Sequence, residues 1–309
     1  MTNDRESDSK NPSSPSLLPS ERGEGSRSVS PGGSDGQSRL SMPPQEDTSQ
    51  FWSTMDLGPR GRVIVVPDGS ALARAAAERF ACVVEQAVEE RGRAFVALSG
   101  GSTPKQMGTI LAREPYRSRI PWERVHIFWG DERWVPLGSP ESNAGEAKRG
   151  FLDLVPIPVA NIHPWETDVE SPREAAAAYE ALLRETFDET GGAPRFDLVL
   201  LGMGDDGHTA SLFPNTDALA ENENLAVANF VPKMDATRLT LTAPVINAGR
   251  EILFLVGGPG KADTLEAVLE GPELPATFPA QLIRSSLPDG QLLWLIDEDA
   301  GARLHRQVA

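Results

Sequence analysis

The sequence predicts an α/β fold with a mostly parallel sheet, and three observations carry that expectation. Short apolar runs bounded by glycine or charge recur along the chain, among them Ala94-Phe95-Val96-Ala97-Leu98 and Ile252-Leu253-Phe254-Leu255-Val256, as strands buried on both faces do. Stretches with helical periodicity separate them, which calls for right-handed parallel crossovers. Glycine-rich polar segments follow the runs directly, at the carboxyl edge where open parallel sheets bind ligands.

Composition divides the 309 residues unevenly. Residues 1–56 are rich in Ser, Pro, Gly and charge and nearly free of aliphatic clusters, so they are expected to form a disordered tail before a single α/β domain at 57–309. The tail carries Asp4, Glu6, Asp8, Glu21 and Glu24 and no apolar core segment, against either a signal or a transit peptide. No apolar stretch reaches the ~18 residues of a membrane span. The lone Cys82 allows no intramolecular disulfide, fits a reducing, cytoplasmic setting and is expected to pack inside a helix. A formal net charge of -16 disfavours nucleic acid or anionic membrane as partner, so an anionic substrate would need a local cluster of cations.

In chain order, Arg62-Val63-Ile64-Val65-Val66 reads as the first strand. Leu72, Ala76, Phe80 and the Val83, Val84, Ala87 and Val88 positions then give a helix closed by Gly92. The strand at 94–98 runs into Ser99-Gly100-Gly101-Ser102-Thr103-Pro104, where Thr103 is the expected N-cap and Pro104 the first helical residue. Two glycines among three hydroxyls at a helix start form a phosphate cradle, without the lysine spacing of a nucleoside triphosphate loop. Val125-His126-Ile127-Phe128-Trp129 is a strand, His126 being a strand residue and no ligand. Asp131, Glu132 and Arg133 follow it and are expected to face the same crevice. Asn143 stands at the next helix start as either its cap or a polar reader of substrate. The irregular proline-rich stretch 157–165 leaves His163 without a chemical partner.

A helix spans Pro172 to Phe187 and is ended by Gly191-Gly192. Leu198-Val199-Leu200-Leu201 is the next strand and 225–228 a further one. Thr237 to Thr242 alternates like a half-covered strand, with Arg238 as a second phosphate contact. After the strand at 252–256, Lys261 opens a helix at 262–269, an unfavourable place for a cation unless an anion is present. Gln291 to Ile296 is the last strand, and Asp297, Glu298 and Asp299 are expected to be a solvated end or a cap. No metal-ligand spacing appears among His126, His163, His208 and His305.

The most specific stretch is Gly202-Met203-Gly204-Asp205-Asp206-Gly207-His208-Thr209-Ala210-Ser211-Leu212-Phe213-Pro214, at the end of the strand 198–201. A histidine in such a turn ordinarily bonds a carbonyl or caps a helix. Here two acids precede it and can fix its tautomer, making His208 the candidate general base and Asp206, with Asp205 as second choice, its orienting partner.

Taken in this order, the 99–104 loop, Gly130-Asp131-Glu132-Arg133, Ser142-Asn143, 202–214, 237–242 and Gly260-Lys261 resemble the 6-phosphogluconolactonase family of the glucosamine/galactosamine-6-phosphate isomerase superfamily, over roughly residues 60–305. The resemblance implies a Rossmann-like three-layer α/β/α fold and cofactor- and metal-independent hydrolysis of 6-phospho-D-glucono-1,5-lactone in the oxidative pentose phosphate pathway. His208 and Asp206 are then the expected catalytic pair. Ser99, Gly100, Gly101, Ser102, Thr103, Asp131, Arg133, Asn143, Arg238 and Lys261 are the expected substrate and phosphate contacts. The expected partner is the small lactone, bound by a monomer or weak homo-oligomer. Deaminases of the same superfamily carry a glutamate five residues after the histidine, where this chain has Phe213. Sugar-phosphate sensors of the superfamily add a DNA-binding helix-turn-helix, which the acidic tail does not offer.

Overall fold

The structure, a computed structural model, describes residues 53–187 and 194–305. The tail expectation for residues 1–52 and the helix-ending Gly191-Gly192 fall outside the described residues. Residues Ser53–Asp56, assigned to the tail by composition, are instead a strand, β1, paired antiparallel with β2 (Arg62–Val66) from Ser53↔Val65 to Asp56↔Arg62. Backbone pairing at a sheet edge needs no apolar run, which is why composition missed it.

A seven-stranded sheet has the order β1-β2-β10-β9-β6-β3-β4, with β3 at Ala94–Leu98, β4 at Val125–Trp129, β6 at Leu198–Leu201, β9 at Glu251–Val256 and β10 at Gln291–Asp297. All pairs but β1–β2 are parallel. From β3 the chain steps outward to β4, whereas from β6 it steps the other way to β9 and β10. The direction of winding therefore reverses between the neighbours β3 and β6, the point at which α/β sheets open a crevice at their carboxyl ends.

Helices flank this sheet. The helix α1 (Gly69–Arg91) packs over β2, β3, β6 and β10, is capped by Asp68, whose carboxylate accepts the Ala71 N–H at 2.7 Å, and ends at Gly92 with φ 76°. Beside it lie α2 (Ser102–Leu111) and the short α3 (Tyr116–Arg119). The core is dense with aromatics: Trp122, Trp129, Trp294, Tyr179, Phe80 and Phe254 are fully buried. Cys82 is half-buried, with its thiol pushed up by burial and by Glu78.

A second, antiparallel sheet of order β5-β8-β7 has no counterpart in the sequence reading as a separate layer. It joins β5 (Asp131–Arg133), β7 (Ala226–Val231) and β8 (Ala236–Leu241). The helix α5, spanning Pro172–Phe187 as expected, packs on β7 and β8. The remaining helices are α4 (Asn143–Gly150), α6 (Ala243–Asn247) and α7 (Ala262–Leu269).

Asp297 is no solvated end. It is buried, and its carboxylate accepts the N–H of Gly258 (2.9 and 3.0 Å to its two oxygens) and of Ala300 (2.8 Å), holding the loop before α7. Backbone donors replace the water that the carboxylate gives up. Among the described residues, no helix is long and apolar enough to cross a membrane.

Candidate active site

The loops leaving β3 and β6 emerge side by side, because the two strands pair in register at Val96↔Leu198 and Ala97↔Val199. Between them opens a cleft of about 310 Å³. Ser99, Gly100, Gly101, Ser102, Thr103, Asp131, Arg133, Asn143, His208 and Lys261 line it, together with Gly202 and Gly204. Of the expected site residues, Asp206 and Arg238 stand behind this lining.

The start of α2 differs from expectation. Its N-cap is Gly101, at φ 113° and ψ 173°, and Thr103 lies inside the first turn. An L side chain is strained at that φ, and glycine brings no capping group. The helix therefore begins two residues early with no side-chain cap, and its first residues line the cleft. The Ser99 hydroxyl and Asn143 Oδ1 are both buried and have no hydrogen-bond partner among the described residues.

The three charges after β4 do not share a face. A strand alternates its side chains, so Asp131 and Arg133 line the cleft while Glu132 points into the protein. Its carboxylate accepts the N–H of Arg133, Asn143 and Ala144, each at 2.8 Å, and the Ser142 hydroxyl at 3.0 Å. Burial pushes Glu132 up, and the backbone donors pull it back. Ser142 is the cap of α4, accepting the Gly145 N–H at 2.9 Å, which leaves Asn143 free of that task. Asn143 Nδ2 donates to the Asp131 carbonyl at 3.0 Å. Asp131 itself is raised by burial and accepts the Ser211 hydroxyl at 2.8 Å.

His208 Nδ1 lies 2.6 Å from Asp206 Oδ1, and the ring stacks on Phe213 with centroids 4.0 Å apart. Burial alone would raise the Asp206 carboxyl, but Lys233, 2.9 Å away, and His208 hold it well below the usual range. An ionised carboxylate only accepts, so Nδ1 carries the proton and, in the neutral ring, Nε2 carries the free lone pair. This decides between the two acids: Asp206 orients the ring, while Asp205 pairs with Lys261. Gly204 makes room for the imidazole, since a Cβ there would sit 2.0 Å from His208 Nδ1.

The amides of Gly204, Gly207 and His208 are spent within the turn, on His208 O (2.9 Å), Gly204 O (3.1 Å) and Asp206 Oδ1 (3.3 Å). They are not available to an oxyanion. Lys261 faces the cleft, but the anion at this helix start is the chain's own Asp205. Arg238 lies directly across the ladder from Arg133 and is lowered by burial and by that neighbour. Like charges in register repel, a cost that an anion bound between them relieves. His163 does have a partner: its Nε2 is 3.2 Å from His126 Nδ1, beside the buried Phe128 of β4. Lys233 was not singled out from sequence, and Glu132 was expected in the crevice, not inside the protein. Glu132 could have been found by strand alternation, whereas Lys233 reaches the site only through the second sheet.

The cleft thus sets an oriented imidazole against a helix-start cradle and cations at one sheet edge, the arrangement of an enzyme of the sugar-phosphate isomerase and lactonase class. Residues 67–294 match the family model described as glucosamine-6-phosphate isomerases/6-phosphogluconolactonase, and the chain belongs to this family. It is 45% identical over 223 residues to the 6-phosphogluconolactonase of Synechocystis sp., covering 72% of this chain and 89% of that protein. With the Nostoc sp. 6-phosphogluconolactonase it shares 41% over 244 residues, 78% of this chain and 98% of the relative. Among solved structures, 6-phosphogluconolactonase from Trypanosoma cruzi superposes with a TM-score of 0.71 at 26% identity, over 82% of this chain and 99% of the other. A monomeric glucosamine-6-phosphate deaminase, at 20% identity and a TM-score of 0.64, shares the fold.

Proposed function

We propose that the chain hydrolyses 6-phospho-D-glucono-1,5-lactone to 6-phospho-D-gluconate in the oxidative pentose phosphate pathway, in the cytoplasm, with His208 as general base. The activity follows the family and its named relatives. The observation that carries the residue assignment is the Asp206-bound His208 ring opening on the same cleft as the uncapped start of α2. His208 Nε2 takes a proton from water as the water oxygen attacks C1. The tetrahedral intermediate then expels the ring oxygen, which receives that proton from the imidazolium. One C–O bond forms and one breaks, and no cofactor is required.

The 6-phosphate rests on the amides and hydroxyls of Ser99 to Thr103, with Arg133 and Lys261 facing it, Lys261 sharing its charge with Asp205. Arg238 adds positive potential from behind Arg133. Asn143 and Asp131 meet sugar hydroxyls. Phe213, stacked on the imidazole, puts an apolar ring where the deaminases carry a carboxylate, so ring opening by proton relay has no acid there.

The test is a coupled assay that makes the lactone in situ, with a no-enzyme control for spontaneous hydrolysis. His208→Ala should lower turnover by about 10² to 10⁴ with phosphate-ligand affinity nearly intact. Unchanged turnover in the purified variant removes His208 from this role. Ammonia release from glucosamine 6-phosphate would instead support the deaminase reading.

A further inference from the structure

We infer that Lys233, at the turn joining β7 and β8, is a positioning residue that holds the Asp206 carboxylate in the orientation in which it fixes the His208 tautomer. This rests on the lactonase reading above.

The two oxygens of Asp206 are divided between two elements. Oδ1 accepts from His208 twice, from ring Nδ1 at 2.6 Å and from the backbone N–H at 3.3 Å. Oδ2 accepts from Lys233 Nζ at 2.9 Å. The Lys233 side chain is 71% exposed, but its root is fixed. Asn229 of β7 donates to the Ser211 carbonyl at 2.9 Å and to Thr216 Oγ1 at 3.0 Å. Thr240 of β8 accepts the Ser211 N–H at 3.3 Å. The hairpin is thus pinned to the segment just after His208, and Lys233 closes the same frame from its tip.

The consequence is both geometric and electrostatic. With Oδ2 held by the ammonium, the plane of the carboxylate is set and Oδ1 stays directed at Nδ1–H. The ammonium also offsets the negative charge beside the imidazole, so Asp206 orients the ring without overstabilising the imidazolium. The other charged groups around the imidazole are Asp131 and Arg133 from β5, Arg238 from β8 behind them and, on the turn itself, Asp205, which is neutralised by Lys261. Phe213 contributes only an apolar face. Lys233, from the hairpin of the second sheet, touches the catalytic pair directly.

Lys233→Met should lower kcat by about three- to ten-fold with KM within about two-fold. The acidic limb of kcat/KM should move to higher pH by roughly half a unit, since an unopposed carboxylate holds the imidazolium longer. Lys233→Arg should restore most of both. An exposed pair adds little to stability, so the thermal midpoint should stay where it is. The ¹⁵N resonances of the His208 ring, assigned with His208→Gln, report its protonation without turnover: the neutral ring carries its proton on Nδ1 in both proteins, and the imidazolium persists to higher pH in Lys233→Met. A rise in KM with kcat and the pH limb unchanged would place Lys233 on the substrate and overturn the inference. An unaltered limb and unaltered ¹⁵N protonation profile would reduce it to a surface ion pair. If the wild-type chain turns over no lactone, the functional reading fails, while the ¹⁵N measurement still decides the role of Lys233.

Discussion

At the scale of single residues, the site depends on two contacts that leave no room for change. Gly204 exists for the imidazole: a methyl at its Cβ position overlaps His208 Nδ1. Gly204→Ala should displace the ring, and a misplacement of about 1 Å costs on the order of 10²-fold in kcat. Far-ultraviolet circular dichroism of the variant should match the wild type. Glu132 is the second. All four of its acceptor contacts come from donors fixed in β5 and the start of α4. Glu132→Gln turns one oxygen into a donor facing donors, and should cost about 1 to 3 kcal/mol in urea unfolding. A loss below a few tenths of a kcal/mol would mean that α4 is held by other contacts.

At the scale of elements, β4 carries a pH-sensitive feature apart from catalysis. His126 and His163 stack with centroids 5.5 Å apart, and His163 also lies on Phe128. Burial lowers both, His163 to about 4, with each further lowered by a neighbouring cation, Arg93 for His126 and His126 for His163. The unfolded chain therefore takes up protons first as pH falls. Stability from this pair is complete above about pH 6.5 and drains away toward pH 4, on the order of 2 kcal/mol for the half-buried His163. His163→Phe should flatten thermal midpoint against pH in that window, whereas the depressed carboxylates Glu78 and Asp206 act at lower pH. The same strand shows what the sequence could reveal. Every strand of the large sheet except β1 was legible, because each is an apolar run and needs only its own residues to announce it. The cradle at Ser99 to Thr103 and the turn at His208 were legible for the same local reason. The second sheet was not legible as a layer: β5 is three charged residues, and its pairing with β8 joins positions more than a hundred residues apart. The partner of His163 and the reach of Lys233 follow from that non-local pairing or from tertiary packing and have no signature in spacing, whereas strand alternation alone turns Glu132 away from Asp131 and Arg133.

At the scale of the molecule, catalysis is a consequence of winding order. The reversal between β3 and β6 brings two strand ends together, and the antiparallel sheet adds Asp131, Arg133 and Lys233 from the side. Every residue named here lies at or after 53, and we propose that the catalytic domain begins at β1 and not at the compositional boundary. Removing residues 1–52 should leave kcat/KM and the thermal midpoint unchanged. Removing four more is a different operation. It takes away the partner of β2 along Arg62–Val65 and the Met55 side chain packed against the core, and exposes an unpaired strand edge. For a domain of this size about 1 kcal/mol moves the midpoint by about 2 to 4 °C, so loss of β1 should lower it by roughly 3 to 8 °C and promote association through β2. Calorimetry and light scattering on the two truncations separate the cases. Equal midpoints would show that β1 contributes nothing to the fold, and an inactive chain lacking only 1–52 would show that the first residues take part in the reaction.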